Sequence, residues 1–183
     1  MRRLTILRAL LHDTHGAEIA EAAAVLPLMF MMLLGIFWFG QAFSIYGTIT
    51  RAAQEGARAG ALPYCVTCAG GNNTLAQYAI NAVNAVNNTL TASNLNPALT
   101  QQPPTPPVFT SCTNTAPTCN ASASTNVCVQ MPVQLTIPAS GADGVCGISV
   151  TFQYPFQFWL PFTTLNKQQI WMTASARVRM EAH

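Results

Sequence analysis

Charge is what this sequence has least of. Lys, Arg, Asp and Glu together make up 8% of its 183 residues, against about 25% in ordinary soluble proteins. The net charge is +2, and three of the basic residues, Arg2, Arg3 and Arg8, crowd into the first ten positions. No basic patch for nucleic acid is left over. Aspartate occurs only at Asp13 and Asp143, and histidine only at His12, His15 and His183. A Ser-His-Asp triad or a histidine metal site therefore cannot be assembled, and there is no glycine-rich phosphate loop. The expectation is a protein that is not an enzyme, with no cofactor, metal or small-molecule substrate.

The scarcity is sharpest between residues 22 and 50, where no charged side chain occurs. The stretch AAAVLPLMFMMLLGIFWF, residues 22–39, is apolar throughout. At about 1.5 Å of rise per residue its 18 positions span about 27 Å, and the run continues through Phe43 and Ile45, enough for a hydrocarbon core of about 30 Å. A cleavable secretory signal has an apolar region of only about 7–15 residues, so this run reads as a membrane anchor. The arginines before it hold the amino end in the cytoplasm by the positive-inside rule, and the residues after about position 50 are exported. Pro27 removes an N–H and predicts a kink within the membrane helix. Gly35, Gly40 and Gly47 are candidate positions for close helix approach, although 35 and 40 miss the four-residue spacing of the usual packing motif.

Six cysteines, Cys65, Cys68, Cys112, Cys119, Cys128 and Cys146, all follow the apolar run. That placement fits an oxidising compartment and up to three disulfides, with 15 possible connectivities. Cys65 and Cys68 have the spacing of a thiol redox pair, but the preceding pattern is a helix rather than the strand such a site needs. A zinc site from Cys65, Cys68, Cys112 and Cys119 would have an irregular second half.

Just ahead of the anchor, Gly16 stands five residues before Glu21, the last charge at the lipid boundary. A carboxylate at that depth costs about 2.5–3.5 kcal/mol if unpaired. A cut between Gly16 and Ala17 would create an amino group four residues from Glu21 on one helix face, able to neutralise it there or between neighbouring subunits. The alternative is an uncleaved anchor with Glu18 and Glu21 as ordinary interfacial charges.

Gly16, Glu21, the text AAAVLPLMFMMLLGIFWFG and the following TITRAAQEGARAGA together resemble the TadE-like family, pilin-like proteins of tight-adherence pilus systems related to type IV pilins. Ala22 stands where an aromatic is expected, and Trp38 stands within GIFWFG where an acid is often found. The resemblance implies cleavage by a prepilin-type peptidase at the bond between Gly16 and Ala17, with Glu21 aligning subunits. It also implies a non-catalytic minor pilin or pseudopilin of the bacterial inner membrane, single-pass, with its amino end cytoplasmic and its carboxyl-terminal domain periplasmic. Its partners would be the membrane, other pilin-like subunits and the pilus assembly machinery. The rival reading is an uncleaved membrane-anchored periplasmic binding or adhesion domain.

The expected organisation is a leader at 1–16, a transmembrane helix and stalk at 17–61, and an exported disulfide-bonded domain at 62–183. In the stalk, Arg51 with Glu55 and Gln54 with Arg58 are four apart and predict ion and polar pairs, while Ile49, Ala52, Ala53 and Ala57 form an apolar face. Pro63 should end the helix. Leu75, Ala79, Ala82, Val83, Val86 and Leu90 predict a second helix near 73–91. QQPPTPP, residues 101–107, predicts an extended connector. Alternation at 127–137 and 148–158 predicts two strands, with a third near 170–180, and Pro132 and Pro155 predict edges, bulges or breaks. The fold class is α+β: a long helix, a second helix and a small antiparallel sheet.

Overall fold

A computed structural model describes residues 14–61, 75–112, 117–119, 126–135, 145–157 and 169–180, with only the backbone described at 14–18 and 75. The architecture is α+β. Helix α1 is Thr14–Ala61 and helix α2 is Leu75–Ala92. A 3₁₀ turn at Pro97–Leu99 precedes three strands, β1 (Cys128–Gln134), β2 (Cys146–Gln157) and β3 (Gln169–Arg179), which form an antiparallel sheet in the order β1-β2-β3. The chain divides into two units, one ending at Ala42 and the other beginning at Phe43.

In the first unit α1 runs through Pro27 without interruption. In the second unit the final turns of α1 bury Ile49, Ala52, Ala53 and Ala57, and α2 buries Ala79, Ala82, Val83, Val86 and Leu90. Those positions recur every three or four residues, so each helix offers one apolar stripe. The inner face of the sheet supplies Val129, Ile148, Val150, Phe152 and Ala174 to the same core. The two helices touch most closely at Gly56 and Gly60. A Cβ at Gly56 would lie 2.5 Å from Val86 Cγ2 and 3.1 Å from the Ala82 carbonyl, and one at Gly60 would lie 2.5 Å from Ile148 Cδ1 and 3.0 Å from Ala82 Cβ. Gly60 also faces Tyr78. Advancing along α1 therefore retreats along α2, so the pair is antiparallel.

Helix α2 stops in a defined way. Asn94 takes the left-handed conformation at φ 58°. The Leu95 N–H reaches the Leu90 carbonyl at 2.9 Å and the Asn94 N–H reaches that of Thr91 at 3.0 Å. These are the two bonds of a Schellman cap, with asparagine in the role glycine usually takes, and Leu95 packs against the core beside it. Asn96 then accepts the Ala98 N–H and opens the 3₁₀ turn.

Strand β2 departs from simple alternation: Gly147 to Phe152 are buried without a break. Both of its faces are covered. On the outer face, register aligns Gln130 with Ser149 and Arg177 in one row, and Cys128 with Thr151 and Ser175 in the next. Thr151 and Ser175 share a 3.0 Å hydroxyl hydrogen bond. The Gln130 Nε2 donates to the carbonyls of Pro107 and Pro117 at 3.1 and 3.0 Å. Arg177 stacks 4.2 Å over the Phe109 ring. The proline-rich connector is thus a cover for the outer face, which explains why Gln130, Ser149 and Thr151 are buried.

Both strand prolines sit where a missing N–H is tolerated. The register between β1 and β2 shifts between Gln130 and Val133, around Pro132, whose peptide bond with Met131 is cis. At Gln153 the backbone exchanges two hydrogen bonds with Gln101, on the side of β2 away from β3. Pro155, two residues on, shares that orientation, so β3 loses no hydrogen bond there.

The disulfides join Cys112 to Cys146 and Cys119 to Cys128. This removes Cys112 and Cys119 from the zinc set considered above. Cys65 and Cys68 lie outside the described residues, as does Pro63, although α1 does end at Ala61, two residues before it.

Candidate functional site

The features that point to function lie along α1. Gly16 and Ala17 fall in its first turn, and Glu21 lies beyond them on the same helix with an exposed side chain. The structure thus puts the glycine and the carboxylate on one continuous helix, where the four-residue separation of Ala17 and Glu21 returns to nearly the same face.

From Ile19 onward the helix presents large apolar side chains in every direction. Met31, Phe39 and Phe43 are 75%, 69% and 72% exposed, and Leu26, Leu28, Phe30, Leu33 and Ile36 are exposed as well. An exposed apolar surface of this extent marks a site of interaction with lipid or with other apolar surfaces. The segment Ile19–Ala61 contains an 18-residue window of mean hydropathy 2.2, none of it buried, and is a candidate membrane anchor by length and composition. Further along, two threonine hydroxyls are satisfied within the helix: Thr48 Oγ1 donates to the Ser44 carbonyl at 2.9 Å and Thr50 Oγ1 to that of Tyr46 at 2.8 Å.

Gly35, Gly40 and Gly47 have no atom of the described chain within 4 Å of the position a Cβ would take. Close approach within the chain falls at Gly56 and Gly60, which have the four-residue spacing that Gly35 and Gly40 lack. The signal was present in the text GARAG, flanked by Ala52, Ala53 and Ala57. It serves packing within the second unit.

The expected pairing of Arg51 with Glu55 is replaced. Glu55 Oε1 lies 3.5 Å from Arg58 Nη1, three residues away and largely exposed. A side chain on the helix surface can reach either the third or the fourth neighbour. Arg51 and Glu55 line an open groove of about 410 Å³ together with Asn88, Thr89, Ala92 and Ser93 from the end of α2.

Comparison with known proteins adds one match. A family model described as TadE-like protein matches residues 16–58. The match begins at Gly16, takes in Glu21 and the apolar run, and ends at Arg58. No curated protein and no solved structure matches the chain.

Proposed function

We propose that this chain, whose anchor segment is TadE-like, is a non-catalytic minor pilin or pseudopilin of a tight-adherence pilus system. It acts by lateral association of its N-terminal helix with other pilin-like helices in the bacterial inner membrane. The observation that carries the reading is the coincidence, on one helix, of the matched segment, a bare apolar surface and Gly16 with Glu21 at processing spacing. A prepilin-type peptidase would cut between Gly16 and Ala17, and the new amino group would sit one helical turn from Glu21. In lipid, two opposite charges brought together cost far less than either one alone. Glu21 could therefore be satisfied by its own amino end or by that of a neighbour, which fixes the axial offset between adjacent helices.

The globular part, with its core sealed by α1, α2 and the sheet, would be periplasmic, where its disulfides form. Gly40, whose surroundings are open, is the place to look for a neighbouring helix. A photoreactive amino acid at Gly40 should give adducts with other pilin-like subunits in cells, and Glu21→Ala should reduce them several-fold. Adducts with lipid alone, unchanged by Glu21→Ala, would contradict helix-mediated assembly and favour an anchored monomeric domain.

A further inference from the structure

The groove at Arg51 is unusual in its placement and in the sign of its lining. Counting along the chain, the uncharged run 22–50 amounts to about 29 residues and about 43 Å of helical rise, which matches a whole bilayer with its headgroups at about 40–45 Å. Arg51 is the first charge after that run and Glu55 follows about one turn later, so on the reading of α1 as a membrane anchor both stand where the chain leaves the lipid. The antiparallel course of α2 brings its C-terminal end, Asn88 to Ser93, to the same level within the second unit.

The lining combines one cation, several acceptor oxygens and the Asn88 amide, which can both donate and accept. Arg51 is exposed and is the only cation among the described residues that line the groove. The hydroxyl protons of Thr89 and Ser93 are already committed, to the Ala85 carbonyl at 2.8 Å and the Thr89 carbonyl at 3.0 Å. Toward the groove these side chains therefore offer acceptor oxygens. Glu55 adds a carboxylate whose contact with Arg58 is long, at 3.5 Å, and exposed. The C-terminal end of α2 adds the negative pole of its dipole.

We propose that this groove binds the headgroup of a zwitterionic phospholipid bearing a primary ammonium, as in phosphatidylethanolamine. The ammonium enters among Glu55, Thr89 and Ser93, and the phosphate rests on Arg51. A primary ammonium brings three N–H donors to an acceptor-rich floor, whereas a quaternary choline brings none and a glycerol headgroup brings no positive charge. The assignment rests on the reading of α1 as a membrane anchor, and the test separates the two.

The full chain is reconstituted in vesicles of phosphatidylethanolamine, phosphatidylcholine and phosphatidylglycerol at equal mole fraction. Retained lipid is counted by native mass spectrometry after mild detergent extraction. The expected result is retention of phosphatidylethanolamine about tenfold over the other two, the scale of one charge-assisted hydrogen bond. Glu55→Gln should remove that preference and Arg51→Gln should lower retention of all three lipids, which share the phosphate, while Gln54→Ala, outside the groove, changes neither. Equal retention of the three lipids, preference for phosphatidylglycerol, or a preference that survives Glu55→Gln would each overturn the proposal. If the protein pellets with alkali-washed membranes and shows no preference, the groove assignment falls and the anchor stands; if it washes off, both fall.

Discussion

Gly56 and Gly60 are the two positions at which the missing side chain is itself the structural element. A Cβ at Gly60 would press on Ile148 Cδ1 at 2.5 Å and on Ala82 Cβ at 3.0 Å, with the Tyr78 carbonyl at 3.3 Å. The backbone there has little room to yield, so Gly60→Val should destabilise the fold by about 1–3 kcal/mol through overpacking. Gly35→Val, in open space, should change stability by no more than about 0.5 kcal/mol. Denaturant titration of the full chain in a non-denaturing detergent checks both. Phe152 is fully buried at the centre of β2, and Phe152→Ala should cost about 3–5 kcal/mol in the same titration. Side-chain roles were legible where periodicity decides them. Ile49, Ala52, Ala53 and Ala57, with Ala79, Ala82, Val83, Val86 and Leu90 of α2, were anticipated from spacing and are buried, while the side chain of Leu75 lies outside what the structure describes. The contacts of Gly56 and Gly60 were missed because a membrane run draws attention to its own glycines, whereas close approach within the chain depends on what α2 places opposite. The choice of Arg58 over Arg51 as the partner of Glu55 turns on rotamers, which spacing does not encode.

Among the elements, the connector from Gln101 to Ser111 has the most to explain. Its prolines forbid helix and regular sheet, and its extended form followed from sequence. Its position did not: two isolated bridges, Gln101 with Gln153 and Ser111 with Val133, and the contacts of Pro107 and Phe109 lay it against the sheet. These are long-range pairings that local pattern cannot supply. The same contacts account for the buried Ser149 and Thr151, which alternation had assigned to solvent. The disulfides act on this layer, since Cys112 directly follows the connector and is tied to Cys146, and Cys119, beyond Pro117, is tied to Cys128. Peptide mapping without reduction should recover Cys112 with Cys146 and Cys119 with Cys128. Replacing Cys119 and Cys128 together by alanine should cost about 2–4 kcal/mol. It should also raise amide exchange around Gln130, where the Pro117 carbonyl accepts from the side chain. Exchange unchanged at Gln130 would mean that the cover is held by Pro107 and Phe109 alone.

At the scale of the whole molecule, a long helix with one bare apolar stretch and one packed end divides the labour: residues up to Ala42 form one unit and those from Phe43 another. The charge-poor composition is concentrated in the exposed apolar stretch of α1, a candidate membrane anchor. What the sequence made legible here was the long apolar helix and the TadE-like segment matched at residues 16–58, because hydropathy and motif text are local properties; the groove at Arg51 was not, because most of its lining comes from the far end of α2. The account stands on processing at the bond between Gly16 and Ala17. The direct test is the intact mass of the protein recovered from membranes of cells that carry a prepilin-type peptidase. The expected mass is that of a chain beginning at Ala17 with its disulfides formed, shifting to the full-length value when Gly16 is replaced by a bulky residue. A full-length chain from the wild-type sequence would contradict the account and leave an uncleaved anchored domain in its place.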